Sequence, residues 1–147
     1  MSRSINVAIL LAASGLFLGC GGGFKADRGV TVKGKLTKGG APVTVPNMES
    51  KAGSVRVALF PVHTSIQDDR GAEGTLGGMD GTFEIIGAGK GVKAGKYKLS
   101  VVADPGDGID QLGGKFDGAT SPIDVELTDK EVGGVKDLGT IDLDSFK

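Results

Sequence analysis

The chain has 147 residues, with 17 basic and 18 acidic side chains, one histidine, one cysteine and no tryptophan. Its net charge of -1 excludes a nucleic-acid surface, which needs a basic patch. One cysteine cannot form an intrachain disulfide, and one cysteine with one histidine cannot build a His/Cys zinc site.

The chain opens with Arg3, followed by an uncharged stretch with an apolar run over residues 7–18, and then Gly19-Cys20. A basic start, a short apolar run and a small residue before the cut are the marks of an export signal. The run is too short to span a bilayer, which takes about 20 residues. The cysteine after Gly19 resembles a bacterial lipobox, with Phe17 and Leu18 in place of its preferred leucine and small residue. The expectation is a lipoprotein signal peptide over 1–19 that is removed, leaving Cys20 as the lipidated N-terminus. A lipidated cysteine has a purpose, whereas a free thiol in an exported chain is a liability. Gly21, Gly22 and Gly23 then begin a flexible tether over 20–29. No Asp follows Cys20, which favours the outer membrane of a two-membrane cell. The expected location is exported and membrane-anchored, facing periplasm or exterior.

Removing the leader takes away Arg3 and no acid, so the remainder has 16 basic and 18 acidic side chains, a net charge of -2. Residues 30–147 suffice for one domain. Glycine fills 27 positions of the whole chain, against about 7% in average proteins. Each costs a helix interior about 1 kcal/mol relative to Ala, so long helices are not expected.

Alternation replaces helical periodicity. Val30, Val32 and Leu36 alternate with Thr31, Lys33 and Lys35; Val55, Val57 and Leu59 alternate with Ser54, Arg56 and Ala58. A short strand is expected around Thr75 and Leu76. The pattern returns at Phe83 and Ile85, at Tyr97, Leu99 and Val101, at Ile123, Val125 and Leu127, and at Ile141 and Leu143. Each segment predicts a strand with one buried and one wet face. Turn chemistry separates them: Gly39-Gly40-Ala41-Pro42, Asp80-Gly81, Ala94-Gly95 and Asp104-Pro105-Gly106-Asp107-Gly108. The prediction is an all-β, seven-stranded antiparallel Greek-key sandwich, prealbumin-like or Ig-like. Lys33, Lys35, Lys38, Lys96 and Lys98 are expected on wet faces or edges, where they discourage strand aggregation.

Candidate chemistry is sparse. His63 ends a strand beside Thr64 and Ser65, but strand-end neighbours do not form a triad and no G-x-S-x-G elbow occurs. No catalytic residues and no enzyme activity are expected. Asp104, Asp107 and Asp110 recur every three residues in a Gly-rich loop and are a weak metal candidate, for calcium, which takes carboxylate and carbonyl oxygens, and the stretch with Asp68, Asp69 and Asp80 is a second, weaker one. The first set lacks the D-x-D-x-D-G spacing of a calcium loop, and Asp is common in plain turns. Asp68-Asp69-Arg70 and Asp80 fall in or near a polar stretch over 65–81 that reads as a hairpin loop. Phe83 and Tyr97 are expected in the core, while Phe60, Phe116 and Phe146 are candidate partner contacts. No exposed Trp or Tyr platform for sugars can be proposed.

Three segments carry a resemblance. Val32-Lys33-Gly34-Lys35-Leu36 through Gly40-Ala41-Pro42-Val43, then Asp80-Gly81-Thr82-Phe83-Glu84-Ile85, then Val92-Lys93-Ala94-Gly95-Lys96-Tyr97, resemble carboxypeptidase regulatory-like (transthyretin-like) domains. The segments Lys115-Phe116 and Ser121-Pro122-Ile123-Asp124-Val125-Glu126-Leu127 are similar to the tail of small exported lipoproteins of this type. The insert over 43–53 departs from the tightest family pattern. The resemblance implies a sandwich without catalysis or cofactor. The expected role is a lipid-anchored envelope domain, non-catalytic, that binds or braces an envelope protein or glycan. The alternative is a calcium- or carbohydrate-binding surface module.

Overall fold

A computed structural model describes residues 28–68 and 70–146. The leader and Cys20 lie outside the described residues. Eight strands are described: β1 (Thr31–Lys38), β2 (Ala41–Pro42), β3 (Ser54–Pro61), β4 (Glu73–Leu76), β5 (Thr82–Ile85), β6 (Gly95–Asp104), β7 (Asp124–Leu127) and β8 (Val135–Asp142). The other regular pieces are four three-residue 3-10 turns. Among the described residues no helix is long and apolar enough to cross a membrane.

The strands form two four-stranded sheets. In one, β1 is flanked by β8 on one side and by β5 and the short β2 on the other. In the second the order is β4-β3-β6-β7, antiparallel throughout. The all-β, sandwich-like architecture follows from the alternation: Val32, Leu36, Val55, Val57, Leu59, Ile85, Leu99, Val101 and Leu127 are buried, while the residues between them face outward. Phe83 and Tyr97 join this core as expected, at 4% and 1% exposure.

Two features depart from the expected pattern. First, β8 pairs with β1 in parallel, not antiparallel. The connection after β7 carries the chain across to the other sheet, so β8 starts at the same end as β1. Its register slips between Lys33↔Asp137 and Lys35↔Thr140, so two β8 residues oppose Gly34. Gly139 takes φ +66° there, and Asp137 Oδ1 accepts its N–H at 2.9 Å, a bulge stabilised by its own side chain. Second, the 43–53 insert folds back on the core. Val43 and Val45 are buried, Ala52 and Gly53 donate to the Asn47 carbonyl, and Asn47 Nδ2 reaches the Pro105 carbonyl at 3.4 Å.

The strand directions define two ends. At one end lie the start of β1, the β3–β4 loop, and the links from β5 to β6 and from β7 to β8. At the other lie the 39–53 and 105–123 loops and the β4–β5 turn.

The turn before β8 predicts an acid-sensitive step. Glu131 accepts from Lys136 Nζ at 2.6 Å and from the Thr128 amide and hydroxyl at 2.8 and 3.0 Å. The Lys136 bond, then the Thr128 bonds, hold its carboxyl down at about 2, against an ordinary 4.5. The folded value lies below the unfolded one, so this stabilisation is complete above about pH 4.5 and lost as pH falls toward 2. Glu131→Gln should therefore flatten that part of the acid limb when the melting temperature is followed from pH 7 to 2.

Candidate functional site

The loop between β3 and β4 gathers the polar side chains with the most partners. Arg70 lies over the Tyr97 ring, 5.1 Å from guanidinium carbon to ring centroid. Its Nε donates to Asp68 Oδ1 at 2.7 Å, and its Nη2 is bonded to Asp68 Oδ2, a forked pair. The same guanidinium donates to the Val62 carbonyl at 3.1 Å and the Lys96 carbonyl at 3.3 Å, tying the loop to β6. The Arg70 and Asp68 side chains are only 10% and 9% exposed. The Arg70 bonds hold the Asp68 carboxyl well below the usual carboxylate range, and the Asp68 bond holds Arg70 protonated. Tyr97 donates its hydroxyl to the Lys93 carbonyl at 2.7 Å, and burial pushes its pKa up.

His63 stands at the rim of this cluster, half exposed, with Nδ1 3.6 Å from Asp68 Oδ2. Asp68 already carries the Arg70 fork, so the pair is a loop fastening rather than a base and its orienting partner. Gly95 is part of the same joint, since a Cβ on it would fall 1.5 Å from Arg70 Nη1. The sequence reading named His63, Asp68, Arg70 and Tyr97 separately and missed their assembly. The signal for it was weak, a β3–β4 loop Arg and a core Tyr 27 positions apart.

The three aspartates proposed for calcium are each turned onto backbone amides. Asp104 Oδ1 accepts from Gly106 and Gly108 at 2.8 and 3.0 Å, which lowers its pKa. Asp107 Oδ1 accepts from Ile109 at 2.9 Å. Asp110 accepts from Ala103 and Leu112 through Oδ1 and from Gly114 through Oδ2, all within 3.1 Å. This is the turn chemistry of Asp in a Gly-rich loop. No group of three His, Cys, Asp or Glu side chains able to hold a metal forms among the described residues. A cation at this loop would compete with these amides for the same oxygens.

The aromatic candidates sort differently than expected. Phe116 is buried, at 3% exposure, because the 105–123 loop folds it under β6, where its carbonyl accepts from Val101. It therefore belongs to the core and is not a partner contact. Phe146 is half-buried and packs edge-on against it, at 6.3 Å and 85°. Phe60 is half-buried beside the 118–120 turn. Of the lysines, Lys33, Lys38 and Lys96 are exposed and Lys35 and Lys98 partly so, with Lys33 3.5 Å from Asp137 and Lys98 2.8 Å from Asp124.

Several open grooves mark the described surface, and two of them lie along β1. One, of about 440 Å³, lies on the outer face over Gly34 between Lys33, Thr82, Glu84 and Asp137. The other, of about 390 Å³, lies at the end where the described chain begins, between Arg28, Ile86, Lys90 and Gly133. Neither presents a nucleophile beside a base.

A scan against protein-family models finds no match, and neither the curated proteins nor the solved structures yield a significant one.

Proposed function

We propose that the protein is a lipid-anchored, non-catalytic domain of the bacterial envelope, held through Cys20 and presenting a β-sandwich that binds or braces an envelope protein or glycan. The domain we assign is a Greek-key sandwich of the carboxypeptidase regulatory-like kind, at the periplasmic or outer surface. The crossing of the chain between sheets at β4–β5, β5–β6 and β7–β8 is in keeping with that topology.

The observation that carries this reading is the polarity of the domain. The chain enters at Arg28, eight residues after Cys20, at one end. The longest loop, 105–123, lies at the other end beside the 43–53 insert, with Met79 and Ile109 exposed there. A domain tethered at one end offers the opposite loops to partners, and loops on a rigid scaffold are where binding residues concentrate. The Asp–amide bonds of the 104–114 loop serve this role by fixing the shape of the far end.

Cell fractionation tests the anchor. The native protein should sediment with membranes and partition into detergent, and Cys20→Ala should move it out of the detergent phase. Equal partitioning of both proteins would reject the lipid anchor.

A further inference from the structure

The end of the sandwich nearest the tether is built from three segments joined by backbone hydrogen bonds. Gly29 donates to the Lys90 carbonyl at 2.6 Å, and Val30 and Val92 exchange a pair of bonds at 2.8 Å. Gly133 donates to the Gly29 carbonyl at 2.8 Å, and Thr31 to the Gly134 carbonyl at 3.0 Å. The start of β1, the turn after β5 and the turn before β8 therefore form one rigid platform.

This platform exposes apolar and basic side chains together. Ile86, Val132 and Val135 are 53%, 41% and 58% exposed. Thr31 pairs with Val135, and the antiparallel register Val32↔Ile85 carried one step further sets Ile86 on the other side of Thr31. Ile86 and Thr31 line one groove, with Val135 paired beside Thr31 and Val132 in the turn before β8. Around them stand Arg28, Lys90 and Lys130, all exposed. The acids nearby are Asp129, exposed, Glu131, which is occupied by Lys136, and Glu84 and Asp137, which flank Lys33 one row further along the sheet. The far-end loops have the opposite character, carrying Glu49, Asp80, Asp107 and Asp117 against Lys51 and Lys115.

We propose that this platform is a membrane-contact face, seated on an anionic lipid surface with Ile86, Val132 and Val135 at the headgroup boundary. The inference rests on the lipid anchor at Cys20. Arg28 is eight positions after Cys20, at most about 28 Å fully extended. The platform is thus held near the bilayer at millimolar effective concentration, so a weak apolar and basic contact is enough to seat it. Seating fixes the acidic loops outward, away from a surface that repels them.

The absence of tryptophan supplies a clean reporter. The native lipoprotein carrying Val132→Trp is reconstituted into vesicles of phosphatidylcholine and phosphatidylglycerol with brominated acyl chains. A second protein carries Ile109→Trp at the far end. The expected result is quenching and a blue shift for Val132→Trp only, lost on adding Lys90→Glu and Lys130→Glu. Loss is also expected at about 1 M salt, where the screening length falls to about 3 Å. No quenching of Val132→Trp, or equal quenching of both reporters, overturns the face. Intact mass reads the anchor separately. If Cys20 proves unmodified, coupling its thiol to a maleimide lipid restores the tether, and the same quenching contrast decides the face.

Discussion

Gly91→Ala is expected to destabilise the domain by about 3 kcal/mol, a large part of the roughly 5–15 kcal/mol that holds such a domain folded. Gly91 takes φ +88°, a region that costs a residue with a Cβ about 1–2 kcal/mol. The added Cβ would also lie 2.3 Å from the Gly29 carbonyl carbon and 2.6 Å from its Cα, both backbone atoms. Relief requires separating the start of β1 from the turn after β5, which breaks the Val30–Val92 bonds and exposes two fully buried valines. Overpacking of this kind adds about 1–3 kcal/mol. Gly89→Ala is the matched control. It shares the positive φ, +81°, but has nothing within 4 Å of the new Cβ, so it should cost only about 1 kcal/mol. Urea denaturation reads both. Equal midpoints for the two variants would mean that the Gly29–Gly91 approach is not a constraint.

Tyr97→Ala should cost about 3–5 kcal/mol, the range for truncating a buried aromatic side chain. It removes a ring at 1% exposure from the layer between the sheets and takes away the platform under Arg70. The 62–72 loop should then become the first site of proteolysis. Tyr97→Phe keeps the ring and loses the hydroxyl with its bond to the Lys93 carbonyl, for about 1 kcal/mol. The two variants also separate at high pH. Burial raises the Tyr97 pKa above its unfolded value of about 10. The neutral ring's contribution is therefore full below pH 10 and lost as pH rises through the folded value, and Tyr97→Phe should abolish that loss. An alkaline limb unchanged in Tyr97→Phe would contradict the assignment.

Much of the fold could be read along the chain wherever a strand has one buried face. In β5 and β7 and over most of β3 and β6 apolar and polar residues alternate, and each of these strands lies where its pattern puts it. The strand β8 could be read only at its end, from Ile141 and from Leu143 just beyond it. Its first half, Val135 to Gly139, sits on a sheet edge with Val135 exposed, so burial imposes no alternation, and the Gly139 bulge breaks the period. The parallel β1–β8 pair was equally hidden, because pairing direction depends on which end a connection returns to. The β2 strand is two residues long and carries no pattern of its own.

The side chains of the candidate site were legible by type but not by partner. Asp104, Asp107 and Asp110 look alike as metal ligands and as turn formers, and only their amide contacts tell the two apart. Arg70 meets Tyr97 because the β3–β4 loop folds across the start of β6, a tertiary contact with no local signature. Phe116 could be taken for a surface residue, since it lies in a Gly-rich loop, yet that loop buries it. The basic and apolar platform joins residues near 30, 90 and 130, whose juxtaposition follows from the topology alone.

We propose that Cys20 carries the lipid that holds this sandwich to a membrane. The most direct test is the intact mass of the native protein from its host's membrane fraction, beside Cys20→Ala. The expected mass is that of a chain beginning at Cys20 with a diacylglyceryl group, with or without an amide-linked acyl chain, with none of this mass in the variant. An unmodified chain in the soluble exported fraction would contradict it, and would make the protein a freely diffusing secreted domain.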